Sequence, residues 1–290
     1  MADFTSFQYR RFDAPLGAEI VGLDLSQPLT DNVTAEVRQA LLDSGGLLVL
    51  RQQHITPQQH IAFSRQFGPL MIHVLRKYLL PGHPEILRVS NVIENGEPVG
   101  LGDAVGYWHS DLSYTPEPSL GSLLYALELP SDGGDTSFAN MSAAYDELPA
   151  DIKERVEGRH AVHSYSHRYE RMRGSKWRTP LSPEQKSEVP EVVHPIVRTH
   201  PETGRRCLFV SEGFSSQVVD LTEPESRALL KFLFYHSTDP RFVYRHRWQA
   251  HDLLFWDNRC TVHMGHGCPP HLRRHMHRTT VRGDAPFVTP

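Results

Sequence analysis

Six short runs rich in Leu, Val, Phe, Tyr and Trp, set off by Pro and Gly, constrain this chain more than any other feature. They are residues 121–129, 192–199, 207–210, 242–248, 253–256 and 279–281. None is long enough for a core helix, and strands of this length must find partners in a sheet. Many short strands beside few helices predict a mainly β chain, a sandwich or barrel with helices covering it.

The helices announce themselves by their starts and stops. Val33, Val37, Ala40 and Leu41 recur at helical spacing between Asp31 and Asp43, and Gly45-Gly46 ends the pattern before the apolar strand Leu47–Leu50. Thr56-Pro57-Gln58-Gln59 combines a capping residue, a proline at the first helical position and a glutamine that can reach back, so a helix should run to about Phe67. Thr222 with Glu225 repeats that signature before Leu229, Leu230, Leu233 and Phe234, and a further helix is expected over Ser142 to Leu148. The 20 glycines and 22 prolines are scattered rather than gathered into a linker, so one domain over 1–290 is expected.

Composition excludes several classes. With 30 Lys plus Arg against 34 Asp plus Glu, the net charge of -4 gives no general field for nucleic acid, although HLRRHMHR is locally basic. No stretch approaches the length of a membrane span, and MADFTSFQYRRFDAPLG lacks the apolar region of a signal peptide. Cys207, Cys260 and Cys268 show no C-x-x-C spacing, against a disulfide framework or a cysteine-rich zinc site. A cytoplasmic protein with no nucleic-acid or membrane partner is expected.

Histidine is in surplus, with 18 in all, and His263, His266, His271, His275 and His277 crowd one stretch. In Trp108-His109-Ser110-Asp111, a strand would place His109 and Asp111 on one face, able to grip one ion. H-x-D alone is weak, since it is common by chance and a histidine hydrogen-bonded to a nearby carboxylate is the favoured reading of it. Two His and one carboxylate on one face of an octahedron suit Fe(II) oxygen chemistry, whereas a closed four-ligand site suits structural zinc. Spacing does not choose the third ligand among the five histidines.

The surrounding words make the choice. His109-Ser110-Asp111, Gly133-Gly134-Asp135-Thr136, Trp256-Asp257-Asn258-Arg259 followed by His263, and Arg273-Arg274-His275-Met276-His277-Arg278 together resemble the Fe(II)- and 2-oxoglutarate-dependent dioxygenases of the taurine and 2,4-dichlorophenoxyacetate dioxygenase family. Ile55–Gln59, HPIVRTHPETG from His194, Glu212-Gly213-Phe214 and Phe242–Trp248 extend the resemblance over nearly the whole chain. It implies a double-stranded β-helix, or jelly-roll, core and assembly as a homo-oligomer, a dimer or tetramer. It also implies that His109, Asp111 and His263 hold Fe(II), that Arg274 and Thr136 bind 2-oxoglutarate, and that Arg278, with His73 and the aromatic wall Phe214, meets a small anionic substrate. The implied reaction consumes O2 and 2-oxoglutarate, releases succinate and CO2, and hydroxylates the substrate.

A guanidinium fork is the natural partner for a buried carboxylate, and Arg274 and Arg278, an even number apart, would share a face if one strand carries both. A merely solvated basic face of Arg273, Arg274 and Arg278 is disfavoured by their register with His263, and His266, His271, His275 and His277 read as surface or supporting side chains. Arg76 and Val105 stand where taurine enzymes have tyrosine and asparagine, against taurine itself, and Arg168 and Tyr169 fall in a region that shapes the pocket. An organic sulfonate, alkyl sulfate or aryloxyalkanoate suits the rest, with FVYRHRW and WDNRC leaning towards a carboxylate. Two other classes compete: a zinc- or manganese-dependent isomerase or hydrolase on a similar barrel, and a non-catalytic jelly-roll binding module with structural histidines. Arg274 with Thr136 separates the first, because hydrolysis of an unrelated substrate needs no clamp for 2-oxoglutarate; the second predicts no O2 uptake and no succinate with any ligand.

Overall fold

The structure, a computed structural model, describes residues 4–102, 105–167 and 181–289. The chain begins with β1 (Gln8–Arg11), β2 (Ala18–Val21), α1 (Asp31–Asp43), β3 (Leu47–Leu50), α2 (Pro57–Arg65), β4 (Leu79–Leu80) and β5 (His83–Ser90). A hairpin of β6 (Ile93–Glu94) and β7 (Glu97–Pro98) precedes the long strand β8 (Ser119–Glu128), and β9 (Thr136–Asn140) leads into α3 (Met141–Asp146) and α4 (Ala150–Val156). Next come β10 (His160–His163), α5 (Pro183–Glu188), β11 (Val192–Pro195), β12 (Val197–Thr199), β13 (Arg206–Leu208), β14 (Ser215–Val218) and α6 (Glu223–Ser237). The last strands are β15 (Val243–His246), β16 (Leu253–Asp257), β17 (Thr261–Gly265) and β18 (His275–Arg282).

Thr56 and Thr222 close the capping boxes their sequences promise, each with proline in the first turn, so α2 and α6 start where expected. α1 coincides with its apolar spacing. α3 starts one residue early because Asn140 accepts from the amides of Ser142 and Ala143 and acts as the cap.

Eight strands form the main sheet in the order β1-β2-β3-β16-β8-β18-β5-β4, antiparallel apart from β2 beside β3. Alternation along β16 divides its side chains between two layers. Leu253 and Phe255 pack with Val37, Ala40 and Leu41 of α1 and Phe63 of α2, while Leu254 and Trp256 pack on the other face with Phe138 of β9. β9 is the middle of a second sheet, β15-β9-β17, and its next residue, Ala139, joins a third cluster with α3, α4 and α6. The site lies between the face of the main sheet bearing Trp256 and this smaller sheet.

Two expectations about strands change. The run 192–199 is two strands, because Ile196 separates β11, which pairs with β10, from β12, which pairs with β13. Residues 279–281 are only the end of an eight-residue strand.

Candidate active site

β17 carries His263, and His109 joins it by a short antiparallel bridge in which each backbone amide donates to the other's carbonyl, at 2.9 and 2.8 Å. This brings two histidines 154 positions apart into contact, with ring centroids 4.2 Å apart. Asp111 completes the cluster. His109 Nε2 lies 3.8 Å from Asp111 Oδ1 and His263 Nε2 lies 3.9 Å from Oδ2, and the three ligand atoms fall within 4.8 Å of one another.

The expectation that one strand aligns His109 with Asp111 needs correction. His109 sits in the bridge, but Asp111 already belongs to a turn, followed by Leu112 in the left-handed region at φ 56°. Backbone alternation therefore does not aim the carboxylate; side-chain bonds do. Asn258 Oδ1 accepts the Asp111 amide at 3.2 Å and the Trp256 indole at 3.0 Å, while Asn258 Nδ2 donates to Ser122 Oγ at 3.0 Å. Ser122 Oγ in turn donates to Asp111 Oδ2 at 2.7 Å, and Ser119 Oγ donates to the Asp111 carbonyl. Asn258 stands in the WDNR segment, but only the fold reveals that its amide orients Asp111.

Protonation states suit a divalent cation. Burial opposes ionisation of Asp111, yet Arg278, His263, His109 and the Ser122 hydroxyl hold its carboxyl well below the usual range. Burial, with His109 beside it, presses the His263 pKa well below that of free imidazole, leaving a neutral ring able to bind metal. His109 Nδ1 is 3.3 Å from the Tyr107 carbonyl, which fixes Nδ1 as the protonated nitrogen and leaves Nε2 as the donor to metal.

Arg278, on β18, donates through Nη1 to Asp111 Oδ1 at 2.6 Å, and among the described residues its buried Nε has no partner. Phe214 meets His109 edge-on at 5.9 Å and Tyr114 at 4.8 Å, while Tyr107 stacks on the His109 ring at 4.5 Å. Gly213 allows this packing: a Cβ there would lie 2.8 Å from the Tyr107 ring and 3.0 Å from His109 Cβ.

Arg274 and Thr136 form a second group. Gly133 and Gly134, at φ 74° and 79°, make a turn that only glycine adopts easily, and the Gly134 carbonyl accepts from Arg274 Nε at 3.2 Å. Trp248 links the pair: its indole donates to Thr136 Oγ1 at 3.1 Å, and its ring lies 6.0 Å from the Arg274 guanidinium carbon. Arg274 precedes β18, and a register shift falls between His275 and Met276, so the shared-strand argument for Arg274 and Arg278 does not hold. Burial drives the Arg274 pKa down to about 10, and among the described residues no carboxylate forms an ion pair with it. A buried, unpaired guanidinium fits an incoming anion.

The remaining candidates separate. His73 lies in the loop before a 3₁₀ turn at Arg76–Tyr78, and its Nδ1 accepts from the Leu75 amide at 3.1 Å. Arg76 is paired in two hydrogen bonds to Glu188 of α5 at 3.2 and 3.1 Å. Val105 packs towards Gly267. Arg273 is paired with Glu128, and His266 bonds Ser137 on the smaller sheet. His277 is buried, but it pairs across β18 with Arg88 and Tyr125, away from the triad. Arg168 and Tyr169 lie outside the described residues.

Comparisons with known proteins agree with this geometry. Residues 8–280 match the family described as taurine catabolism dioxygenase TauD, TfdA family. The chain is 38% identical over 279 residues to the alpha-ketoglutarate-dependent 2,4-dichlorophenoxyacetate dioxygenase of Cupriavidus pinatubonensis, covering 92% of this chain and 95% of the relative. It is 35% identical to pentalenolactone F synthase of Streptomyces arenae, covering 94% of each. The crystal structure of AAD-2 in complex with Mn(II) and N-oxalylglycine superposes with a TM-score of 0.79 at 36% identity, covering 98% of this chain and 100% of that one. The chain belongs to the TauD/TfdA family and is an Fe(II)- and 2-oxoglutarate-dependent dioxygenase that uses O2.

Proposed function

We propose that the enzyme hydroxylates a small organic anion, an aryloxyalkanoate ahead of a sulfonate or alkyl sulfate, in one domain over 1–290 with a jelly-roll core. The observation that carries the substrate class is the aromatic wall of Phe214, Tyr107 and Tyr114 beside His109, with the buried cation Arg278 at its edge. An apolar body with one anionic end fits such a site. The activity named for the relative from Cupriavidus pinatubonensis points the same way. Val105, unable to hydrogen-bond an amine, argues against taurine.

In this reading His109, Asp111 and His263 hold Fe(II), which supplies, when bound, the activation of O2 coupled to oxidative decarboxylation of 2-oxoglutarate. Asn258 and Ser122 fix Asp111 so that its carboxylate meets the ion without reorganising. Arg274 neutralises the distal carboxylate of 2-oxoglutarate and Thr136 adds a hydroxyl contact, with Trp248 holding both in place. Arg278 binds the substrate's anionic group, and His73, held in the Nε2-protonated tautomer by the Leu75 amide, assists it. Phe214 and Tyr107 keep water from the faces of His109. Succinate and CO2 are the coproducts, a homodimer or tetramer is the expected assembly, and the free cysteines suit the cytoplasm.

The test is succinate formation with a panel of aryloxyalkanoates, alkyl sulfates and alkanesulfonates, taurine included. The reading expects 2-oxoglutarate-dependent turnover of an aryloxyalkanoate in preference to taurine, and at least a tenfold rise in KM for that substrate in Arg278→Ala. Preference for taurine would overturn it.

A further inference from the structure

Resting on the small-anion reading above, we propose that Tyr114 determines specificity, its phenol hydroxyl donating a hydrogen bond to the anionic head of the substrate alongside Arg278. Tyr114 stands three positions after Asp111 and is 2% exposed. Its ring lies 4.8 Å from Phe214 and 4.7 Å from Tyr165, so it belongs to the wall that reaches His109 through Phe214. That packing would be served equally by phenylalanine.

The hydroxyl is what packing does not explain. A buried phenol normally finds a hydrogen-bond partner, because leaving it unpaired forfeits its hydration without return. Among the described residues none bonds the Tyr114 hydroxyl. Arg278 also has a spare donor, since Nη1 serves Asp111 while, among the described residues, its buried Nε finds no acceptor. The two side chains feel each other's field, and burial with the neighbouring Tyr165 keeps the phenol protonated, hence a donor.

Two incompletely used donors in each other's field match a group with several acceptor oxygens. A carboxylate, sulfate or sulfonate can accept from both at once; an alcohol of the same shape accepts less strongly and gains nothing from the cation. Tyr114 would then select for the anionic head, while the aromatic wall selects for the body.

The test is equilibrium binding to the enzyme loaded anaerobically with Fe(II) and 2-oxoglutarate, read from the perturbation of its visible charge-transfer band. The probes are 2,4-dichlorophenoxyacetate, its neutral alcohol analogue 2,4-dichlorophenoxyethanol, an alkyl sulfate and an alkanesulfonate. In Tyr114→Phe the Kd of the bound anion should rise roughly ten- to a hundredfold, the worth of a hydrogen bond to a charged group. Binding of the alcohol and of 2-oxoglutarate, and the Tm, should stay as in the wild type. Unchanged anion binding, or equal weakening of acid and alcohol, would overturn the role of Tyr114 while leaving the anion reading intact. If the wild type binds none of the anions, the substrate reading itself fails and the inference with it.

Discussion

Asn258→Ala is the substitution whose consequences the structure defines most closely. Asn258 is 1% exposed and its side chain makes three hydrogen bonds, accepting from the Asp111 amide and the Trp256 indole and donating to Ser122. Truncation strands two buried donors, and at about 1–3 kcal/mol each the expected loss of folding stability is about 2–6 kcal/mol. Asp111 also loses the backbone anchor and the chain through Ser122 that hold its carboxylate, so the dissociation constant for Fe(II), or for Mn(II) as a stable substitute, should rise about 10- to 100-fold. Ser122→Ala is the control: it removes the donor to Asp111 Oδ2 and strands one buried donor, Asn258 Nδ2, but leaves the Asp111 amide and the indole paired, so metal affinity should fall with a loss of about 1–3 kcal/mol in stability. Urea unfolding and metal titration measure the two quantities. An Asn258→Ala protein with stability within about 0.5 kcal/mol of wild type and unchanged metal affinity would refute the claim that this amide orients Asp111.

Arg274→Ala should raise the KM for 2-oxoglutarate at least tenfold while leaving metal affinity unchanged; an unaltered KM would contradict the pairing proposed for this guanidinium. Gly213→Ala pushes a methyl into Tyr107 and the Cβ of His109, so it should weaken Mn(II) binding, and undiminished affinity would show that the close approach is unimportant. Stability should fall as pH drops below about 6.5, because burial pushes the pKa of His60 and His163 down to about 3 and that of His277 to about 4. Below the unfolded value the denatured chain binds protons that the native fold refuses, so stability rises with pH across this window, by up to about 1.4 kcal/mol per pH unit for each histidine. A midpoint in urea that is flat between pH 7 and pH 5 would contradict this.

Features that depend on neighbours in sequence were legible. The capping boxes at Thr56 and Thr222 and the apolar spacing of α1 gave the helices nearly to the residue, because the interactions that start and stop a helix are local. The motif words likewise led to His109, Asp111 and His263, and the structure brings those three together. What could not be read is what the tertiary fold decides. β17 does not stand out as an apolar run, since His263 and Gly265 interrupt it, yet pairing with β9 makes it the strand that carries a site histidine. The pairing of Arg76 with Glu188, 112 positions away, is likewise a product of the tertiary fold. The roles of Ser122 and Tyr114 are not legible, because their only signal is the company they keep in space; Asn258 and Trp248 stand in motif segments, but those segments do not reveal which residues they contact.

The His109, Asp111 and His263 triad and the neighbouring Arg274 and Thr136 pair should bind Fe(II) and 2-oxoglutarate together. Anaerobic addition of Fe(II) and then 2-oxoglutarate, followed by visible absorption, tests it directly. The wild type should develop the weak charge-transfer band of the chelate, which should be lost in Asp111→Ala and require far more 2-oxoglutarate in Arg274→Ala. No band in the wild type, or an undiminished band in Asp111→Ala, would contradict the account.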